Sequence, residues 1–524
     1  MQDEYDAIIV GAGINSLACA VHLGAKGWRV GIFEQAETPG GAVKTLELTE
    51  PGFRHDWAAM NLSLFAGSGF FKAHGADLAG RGLDFAPALN CFASVFDDGA
   101  WLGVSTGPGE TRARIAKFSE ADAKAWDRLC AEFPGTAEYV FALLGNPMQM
   151  HIQGRLLAKA LWRKGFAWTA DLVRLLLSSP RTWLTETFES HHVRATLAAW
   201  GMHLDFAPDM AGGAVFPYLE SMANQNFGMV IGKGGADTAV TALLSKIKAS
   251  GGEVHCGKRV ARVIRKGGKA TGVELADGTK IKASRAVIAN VAPSGLMKLL
   301  DNASGDAAFD ARMTKFAHAP GTMMIHLALD GLPDWSAGEE LKSFAYVHIA
   351  PSLEQMARTY QQAVAGLLPD EPVLVVGQPT AIDPSRAPEG KHVLWVQVRM
   401  VPGEIKGDAA GTISGTDWAS VKEIYADRAI AMIERHAPGL RARILGRAVV
   451  SPLDLEADNP NLVGGDQVAG SHHLSQNFLF RPALGHATGK TPVEGLHITG
   501  ASVWPGAGTG AGAGYMLAQK LGGK

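Results

Sequence analysis

One stretch near the start of the chain restricts the fold more than any other. From Asp6 to Thr45 it reads DAIIVGAGINSLACAVHLGAKGWRVGIFEQAETPGGAVKT. Ile8, Ile9 and Val10 form the short apolar run expected of a buried parallel strand. Gly11-Ala12-Gly13 follows at once and turns the chain sharply. Ile14 to Ala25 supplies small and apolar residues suited to a helix lying on a sheet, and Trp28 to Phe33 resumes a strand pattern that ends at Glu34.

Strand, glycine turn, helix, strand and acid in this order form a dinucleotide-binding βαβ unit. Gly11 and Gly13 let the backbone approach a pyrophosphate at the helix N-terminus, where Ile14 and Asn15 begin the helix. Glu34, with Gln35 beside it, stands where an acid accepts hydrogen bonds from the adenosine ribose. The third glycine of G-x-G-x-x-G is replaced by Ser16, which is small enough for close packing. The plainer alternative is a glycine turn that merely joins a strand to a helix; the correctly spaced acid favours the nucleotide site.

At 524 residues and 47% hydrophobic content, the chain is expected to fold as two or three domains. A formal charge of -2 gives no global attraction to nucleic acid, and no nucleic-acid partner is expected. Cys19, Cys91, Cys130 and Cys256 lie far apart without metal-ligand spacing, which argues for a reducing compartment and against disulfide or iron–sulfur redox chemistry. The acidic opening MQDEYD runs straight into the first strand, so a cytoplasmic location is expected. No stretch of about 18–20 residues is apolar enough to predict a membrane span.

Further along, Pro51-Gly52 marks a turn before Phe53, His55, Asp56 and Trp57. Residues 100–225 read as a mainly helical insert, with Trp126, Leu129, Phe133, Tyr139 and Val140 at helical spacing. Within it, 151–181 interleaves Arg155, Lys159, Arg163, Lys164, Arg174 and Arg181 with leucines and tryptophans. Two readings stand for this stretch: a peripheral contact with an anionic membrane, or a helical face packed on the core with its basic side solvated. From 226 to 300 the pattern returns to strands and a helix, and 451–524 ends in strand, glycine turn and helix. The fold class is therefore α/β (α+β overall), with a discontinuous nucleotide domain of 1–99, 226–300 and 451–524. Strand-like runs between 301 and 450 predict a substrate domain built on an antiparallel sheet.

Together these segments resemble the FAD-dependent oxidoreductases of the phytoene-desaturase or carotenoid-dehydrogenase-like superfamily, more distantly the amine oxidases. GAGINSLACA resembles the family's GAGHNGLxxA, and EQAETPGGAVKT its acid followed by a glycine pair. Many relatives carry arginine after that pair; here Gly41 is followed by Ala42, with Lys44 two residues on. GKGGADTAVTALLSKIKASGGEVHCGKRVARV resembles a second segment, whose valine, here Val260, meets the adenine through its backbone. GASVWPGAGTGAGAG resembles the C-terminal signature, implying flavin contacts at Gly500, Ala501, Pro505, Gly506 and Thr509. The resemblance implies FAD rather than NAD.

It also implies dehydrogenation of an apolar or partly apolar substrate, with hydride transfer to flavin N5 and reoxidation by quinone or dioxygen. His55 and Asp56 are the candidate proton acceptors, with ordinary turn roles as the alternative. Trp57, His473 and Trp504 are candidates for the substrate pocket. His472-His473 lacks a recognisable third ligand, so no metal is expected, and His191-His192 reads as a solvated helix face. No Ser-His-Asp or G-x-S-x-G arrangement supports hydrolysis. The competing functions are a flavin amine oxidase and a non-catalytic prenyl-binding relative that has lost its flavin.

Overall fold

A computed structural model describes residues 1–523. The chain opens with strand β1 (Glu4–Val10), helix α1 (Ile14–Ala25) and strand β2 (Val30–Phe33). A hairpin of β3 (Asn90–Val95) and β4 (Trp101–Ser105) precedes the helical insert. The insert includes α2 (Glu120–Leu144), α3 (Met150–Lys164), α4 (Phe166–Leu177) and α5 (Val215–Phe227). Then come α6 (Asp237–Ala249), β5 (Glu253–His255), β6 (Val260–Lys266), β7 (Lys269–Leu275) and β8 (Lys280–Ala289). The second domain contributes β9 (Gly321–Leu329), β10 (Tyr346–Ile349), β11 (Val373–Gly377), β12 (His392–Val401), α7 (Trp418–His436) and β13 (Ile444–Val450). Strand β14 (Leu496–Ile498) and helix α8 (Gly512–Gly522) follow.

The first sheet has the order β6-β7-β8-β1-β2-β5, with β14 also paired to β8. Strand β8 changes character along its length. Its first half pairs antiparallel with β7 and is largely accessible, while 286–289 run parallel between β1 and β14 and are wholly buried. Burial on both faces is what a parallel strand demands, hence the apolar VIA that ends it. Helix α1 buries every residue from 14 to 23, because the sheet, α6 and α8 all pack against it.

The second sheet has the order β13-β9-β12-β11-β10-β3-β4, antiparallel except where β10 meets β3. The β3–β4 hairpin belongs to it, so the expected domain boundary at residue 99 falls inside a hairpin and moves to before residue 90. Ile325, Val347, Val396 and Val398 face α7 and its Trp418, Tyr425 and Ile430. Because side chains alternate, Met324, Tyr346 and Trp395 face the helical insert instead.

Gly377 of β11 lies in register between Tyr346 and Trp395. With no side chain intervening, the two rings stack across it, centroids 5.8 Å apart. A Cβ on Gly377 would meet Trp395 Cε3 at 2.9 Å and Met60 Sδ at 3.2 Å.

Helices α3 and α4 depart from ordinary core packing. The first buries only Ala160 and the second only Thr169. At the turn joining them, Trp162 and Phe166 are 83% and 79% exposed. Part of the basic charge is paired: Lys159 with Glu138, Arg174 with Glu186, and Arg181 with Asp209 and Glu354. Among the described residues no helix is long and apolar enough to cross a membrane.

Candidate active site

A cleft of about 480 Å³ starts at the carboxyl ends of β1 and β2. Gly11 turns the chain at φ 87°, where an L side chain is strained, and a Cβ there would crowd the Asn290 carbonyl at 3.0 Å. Gly41 approaches so closely that its Cβ would lie 3.2 Å from Gly13 Cα. The Gly40 N–H donates to the Ala12 carbonyl at 2.9 Å, locking the two glycine turns together. The α1 N-terminus therefore faces the cleft with its first N–H groups unobstructed, a cradle for a diphosphate. Ser16 fits where the third glycine stands elsewhere: it is fully buried and its hydroxyl accepts from Asn290 Nδ2 at 2.8 Å.

At the rim, Glu34 accepts from the Ala12 N–H at 2.6 Å and the Ala36 N–H at 2.9 Å. Those bonds hold its carboxylate at the ribose position with lone pairs to spare. Lys44 lines the cleft but is paired with Asp458 at 2.7 Å, so it is a bound cation and not a free phosphate clamp. On the opposite side α8 presses on α1: a Cβ on Gly514 would lie 1.9 Å from the Asn15 carbonyl oxygen. The Gly514 N–H donates to Asn15 Oδ1 at 3.1 Å.

Gly11, Gly13, Ile14, Asn15, Glu34 and Gln35 all line the cleft. So do Gly41, Ala42, Val260, Ala501 and Thr509. Gly500, Pro505 and Gly506 do not. Gly500 makes room for Asn290, whose Oδ1 would lie 2.2 Å from a Cβ, and Gly506 makes room for the His472 ring. The cleft is met instead by Ser502 and Gly508 of the same turn, and by Asn290 and Asn461. Asn461 Nδ2 donates to the Asn290 carbonyl at 3.2 Å. Asn290 follows directly on the apolar end of β8, the position where a nucleotide-binding sheet meets its ligand, and that was the available signal. Arg481, fully buried, donates to the carbonyls of Ser471 at 2.8 Å and Ala501 at 2.7 Å, tying the turn in place.

The structure gives His55 and Asp56 work other than accepting a substrate proton. Neither lines the cleft. Asp56 accepts from Thr45 Oγ1 at 2.7 Å and the Ala236 N–H at 2.9 Å, and pairs with the fully buried Arg386 at 2.9 Å. His55 bonds Thr49 Oγ1 at 2.7 Å, and burial pushes its imidazole down to about 4. Trp57, His473 and Trp504 do not line the cleft either. Trp57 is half-buried and parallel to His326, 6.4 Å away. His473 meets the Tyr360 hydroxyl at 3.2 Å and the Asp205 carbonyl at 3.0 Å. Trp504 is buried and donates to the Asn146 carbonyl at 3.0 Å. Nor is His191-His192 simply a solvated face, since His192 is buried and bonds Asp98 at 2.8 Å.

At its inner end the cleft is lined by Ala58, Ala59, Gln467, Gly508 and Thr509. Gln467 accepts from Gln397 Nε2 of β12 at 2.8 Å, and Met60 reaches Gly377, so this end abuts the aromatic face of the second sheet. Trp200 adds to that face, 6.2 Å from Tyr346 and 4.6 Å from His203. His203 and His348 bring their Nε2 atoms within 3.2 Å; burial drives His203 well below the usual histidine range and His348 to about 3. The pair is uncharged at neutral pH, leaving an aromatic wall without charge.

A nucleotide cleft that ends against an aromatic-faced sheet is the layout of a flavin-dependent oxidoreductase. The chain belongs to the flavin containing amine oxidoreductase family, whose model matches residues 114–410, and an NAD(P)-binding Rossmann-like domain matches 9–71. It is 27% identical over 99% of its length to pyridine nucleotide-disulfide oxidoreductase domain-containing protein 2 of Rattus norvegicus, covering 93% of that protein. To the neurosporene-forming phytoene desaturase of Rhodobacter capsulatus it is 25% identical, over 98% of this chain and 93% of that one. The solved structure of an oxidoreductase from Methanosarcina mazei shares its fold at a TM-score of 0.62 and 17% identity, covering 98% and 99% of the two chains. The cofactor is FAD, and the glycine cradle and Glu34 fit its adenosine diphosphate half.

Proposed function

We propose that this protein dehydrogenates an apolar or partly apolar small molecule, forming a C=C or C=N bond. Bound FAD supplies two-electron oxidation, with quinone or dioxygen as the final acceptor. The chain's own contribution is to hold the adenosine diphosphate half at Gly11, Gly13 and Glu34, and to present the substrate on the aromatic wall of Tyr346, Trp395 and Trp200. The observation that carries the reading is the join between cleft and wall, made by the Gln467–Gln397 bond and the Met60–Gly377 contact. Anaerobic substrate screening by flavin bleaching tests it. Polyenes, cyclic ketones or fatty chains that bleach the flavin support it, and a protein that retains no FAD when purified and takes up none when supplied refutes it.

A flavin amine oxidase is the second reading, favoured by the aromatic rings around the cavity; hydrogen peroxide release on amines distinguishes it. The intact glycine cradle argues against a flavin-free binding protein. We also propose that the α3–α4 hairpin contacts an anionic membrane surface, a reading supported by the exposure of Trp162 and Phe166, which would enter the headgroup layer, and of Arg155 and Lys164, which would meet lipid phosphates.

A further inference from the structure

The turn of the β3–β4 hairpin meets the start of the helix His191–Ala198 in the insert, and the meeting brings together two imidazoles and a carboxylate. His192 Nε2 lies 2.8 Å from Asp98 Oδ2, and the His191 and His192 ring centroids are 3.8 Å apart. One donor atom from each of the three residues lies within 4.8 Å of the other two. None of the three lines the nucleotide cleft.

Two of the three donors are held from behind. Asp98 Oδ1 accepts from the Ala100 N–H at 3.0 Å, which leaves Oδ2 for the histidines. The His192 ring is buried against Phe96 and Phe118, whose ring centroids are 4.6 and 4.5 Å away. The backbone leading into the pair is fixed by Asp122 of α2, whose buried carboxylate accepts from the Glu189 N–H at 2.6 Å and the Ser190 N–H at 2.8 Å. His191 is exposed and makes no hydrogen bond or ion pair among the described residues, so its ring can turn. Two imidazoles with one carboxylate suit zinc or another first-row dication, whereas magnesium and calcium prefer oxygen throughout. Zinc bonds of about 2.0–2.2 Å put neighbouring ligand atoms about 3.3 Å apart, so the Asp98–His192 edge opens slightly and His191 closes by side-chain rotation.

We propose that Asp98, His191 and His192 bind one zinc ion or similar first-row dication, with water completing a tetrahedral shell. The site is architectural and takes no part in the oxidation. It clasps the hairpin to the helix at their outer ends, while residues further along both elements build the aromatic wall. Phe92 of β3 pairs in register with Tyr346, and Trp200, just beyond the helix, meets Phe92 edge-on at 5.2 Å. The ion thus replaces one hydrogen bond by three bonds across two elements, and ties the insert to the edge hairpin of the second sheet.

The test uses the full FAD-loaded chain, stripped of metal with a chelator and dialysed against Zn2+ at neutral pH, with bound zinc counted by elemental analysis. One zinc per chain is expected, and the denaturation midpoint should rise with zinc concentration. Outer-shell partners alone are worth about 10- to 100-fold in metal affinity, so removing a ligand through His191→Gln or Asp98→Asn should weaken zinc binding by at least about 100-fold. Both side chains are exposed, so these variants are expected to fold and keep their FAD. His151→Gln, at an exposed histidine of α3, should bind zinc as the unmodified protein does, and excess Mg2+ should not displace the ion. The inference is overturned if no zinc binds, if His191→Gln and Asp98→Asn bind it as tightly as the unmodified protein, or if Mg2+ displaces it. Zinc lost equally in His151→Gln would place the binding on other histidines and overturn it too.

Discussion

Replacing Asp56 by asparagine separates a structural role from a catalytic one. The amide side chain would keep an oxygen for Thr45 Oγ1 and the Ala236 N–H but lose the charge facing Arg386. The guanidinium, fully buried, would retain Asp383 at 3.2 Å and the Gly232 carbonyl at 2.7 Å. Breaking a buried pair costs about 3–5 kcal/mol, and the surviving partner puts this case near the lower end, about 3 kcal/mol. Arg386→Met leaves two carboxylates facing each other and is expected to cost about 5 kcal/mol. The double variant Asp56→Asn/Arg386→Met should cost less than the sum of the two, because the charges leave together. Chemical denaturation of each variant reads these differences, and the rate of substrate-driven flavin reduction per bound FAD is expected to match the unmodified protein. An Asp56→Asn variant with an unchanged denaturation midpoint and slowed flavin reduction would refute the assignment and restore Asp56 as a proton acceptor.

Gly514→Ala places a methyl group 1.9 Å from the Asn15 carbonyl oxygen, forcing α8 off α1. Overpacking of this kind costs about 1–3 kcal/mol, and FAD titration should show weaker cofactor binding; unaltered affinity would detach α8 from the cleft. For Glu220 of α5 the unfolded carboxyl titrates near 4.5, and burial pushes the folded one up to about 7. Since the folded pKa is raised, protonation favours the folded state; the protein loses stability as pH rises from 4.5 towards 7, then stays level. Glu220→Gln should therefore be more stable than the unmodified protein above pH 7, by up to about 3 kcal/mol, with the gap closing below pH 4.5; an equal gap at both ends counts against the burial argument. Trp162→Glu with Phe166→Glu should abolish co-sedimentation with anionic vesicles while leaving FAD content intact, and unmodified protein that fails to sediment at low salt removes the membrane assignment.

What the sequence discloses depends on how local the cause is. The β1–α1–β2 unit and Glu34 are legible because the glycines, the helix and the acid lie within one contiguous segment whose spacing is itself the geometry. The C-terminal turn is legible as a turn, but not which of its glycines faces the cleft: Gly508 does, whereas Gly500 and Gly506 yield to Asn290 and His472. Asp56 resembles a catalytic acid because its partner Arg386 lies 330 residues away. Glu220 looks like an ordinary polar residue on a helix, and only the packing of α5 against the second sheet isolates it. Tyr346 and Trp395 become a wall only once Gly377 is known to stand between them.

The strand order of the first sheet also bears on how the protein can assemble. The glycine-turn strand β1 has β8 on one side, pairing Ile8 with Val287, and β8 in turn has β14, pairing Val287 with Leu496. The nucleotide domain therefore has a high contact order, and its central parallel strands cannot gain their hydrogen bonds until segments hundreds of positions apart have met. Expressed alone, the matched Rossmann-like segment at 9–71 would lack β8 and leave β1 with an unpaired apolar edge. Residues of all three segments line the cleft, so bound FAD would fasten that late assembly.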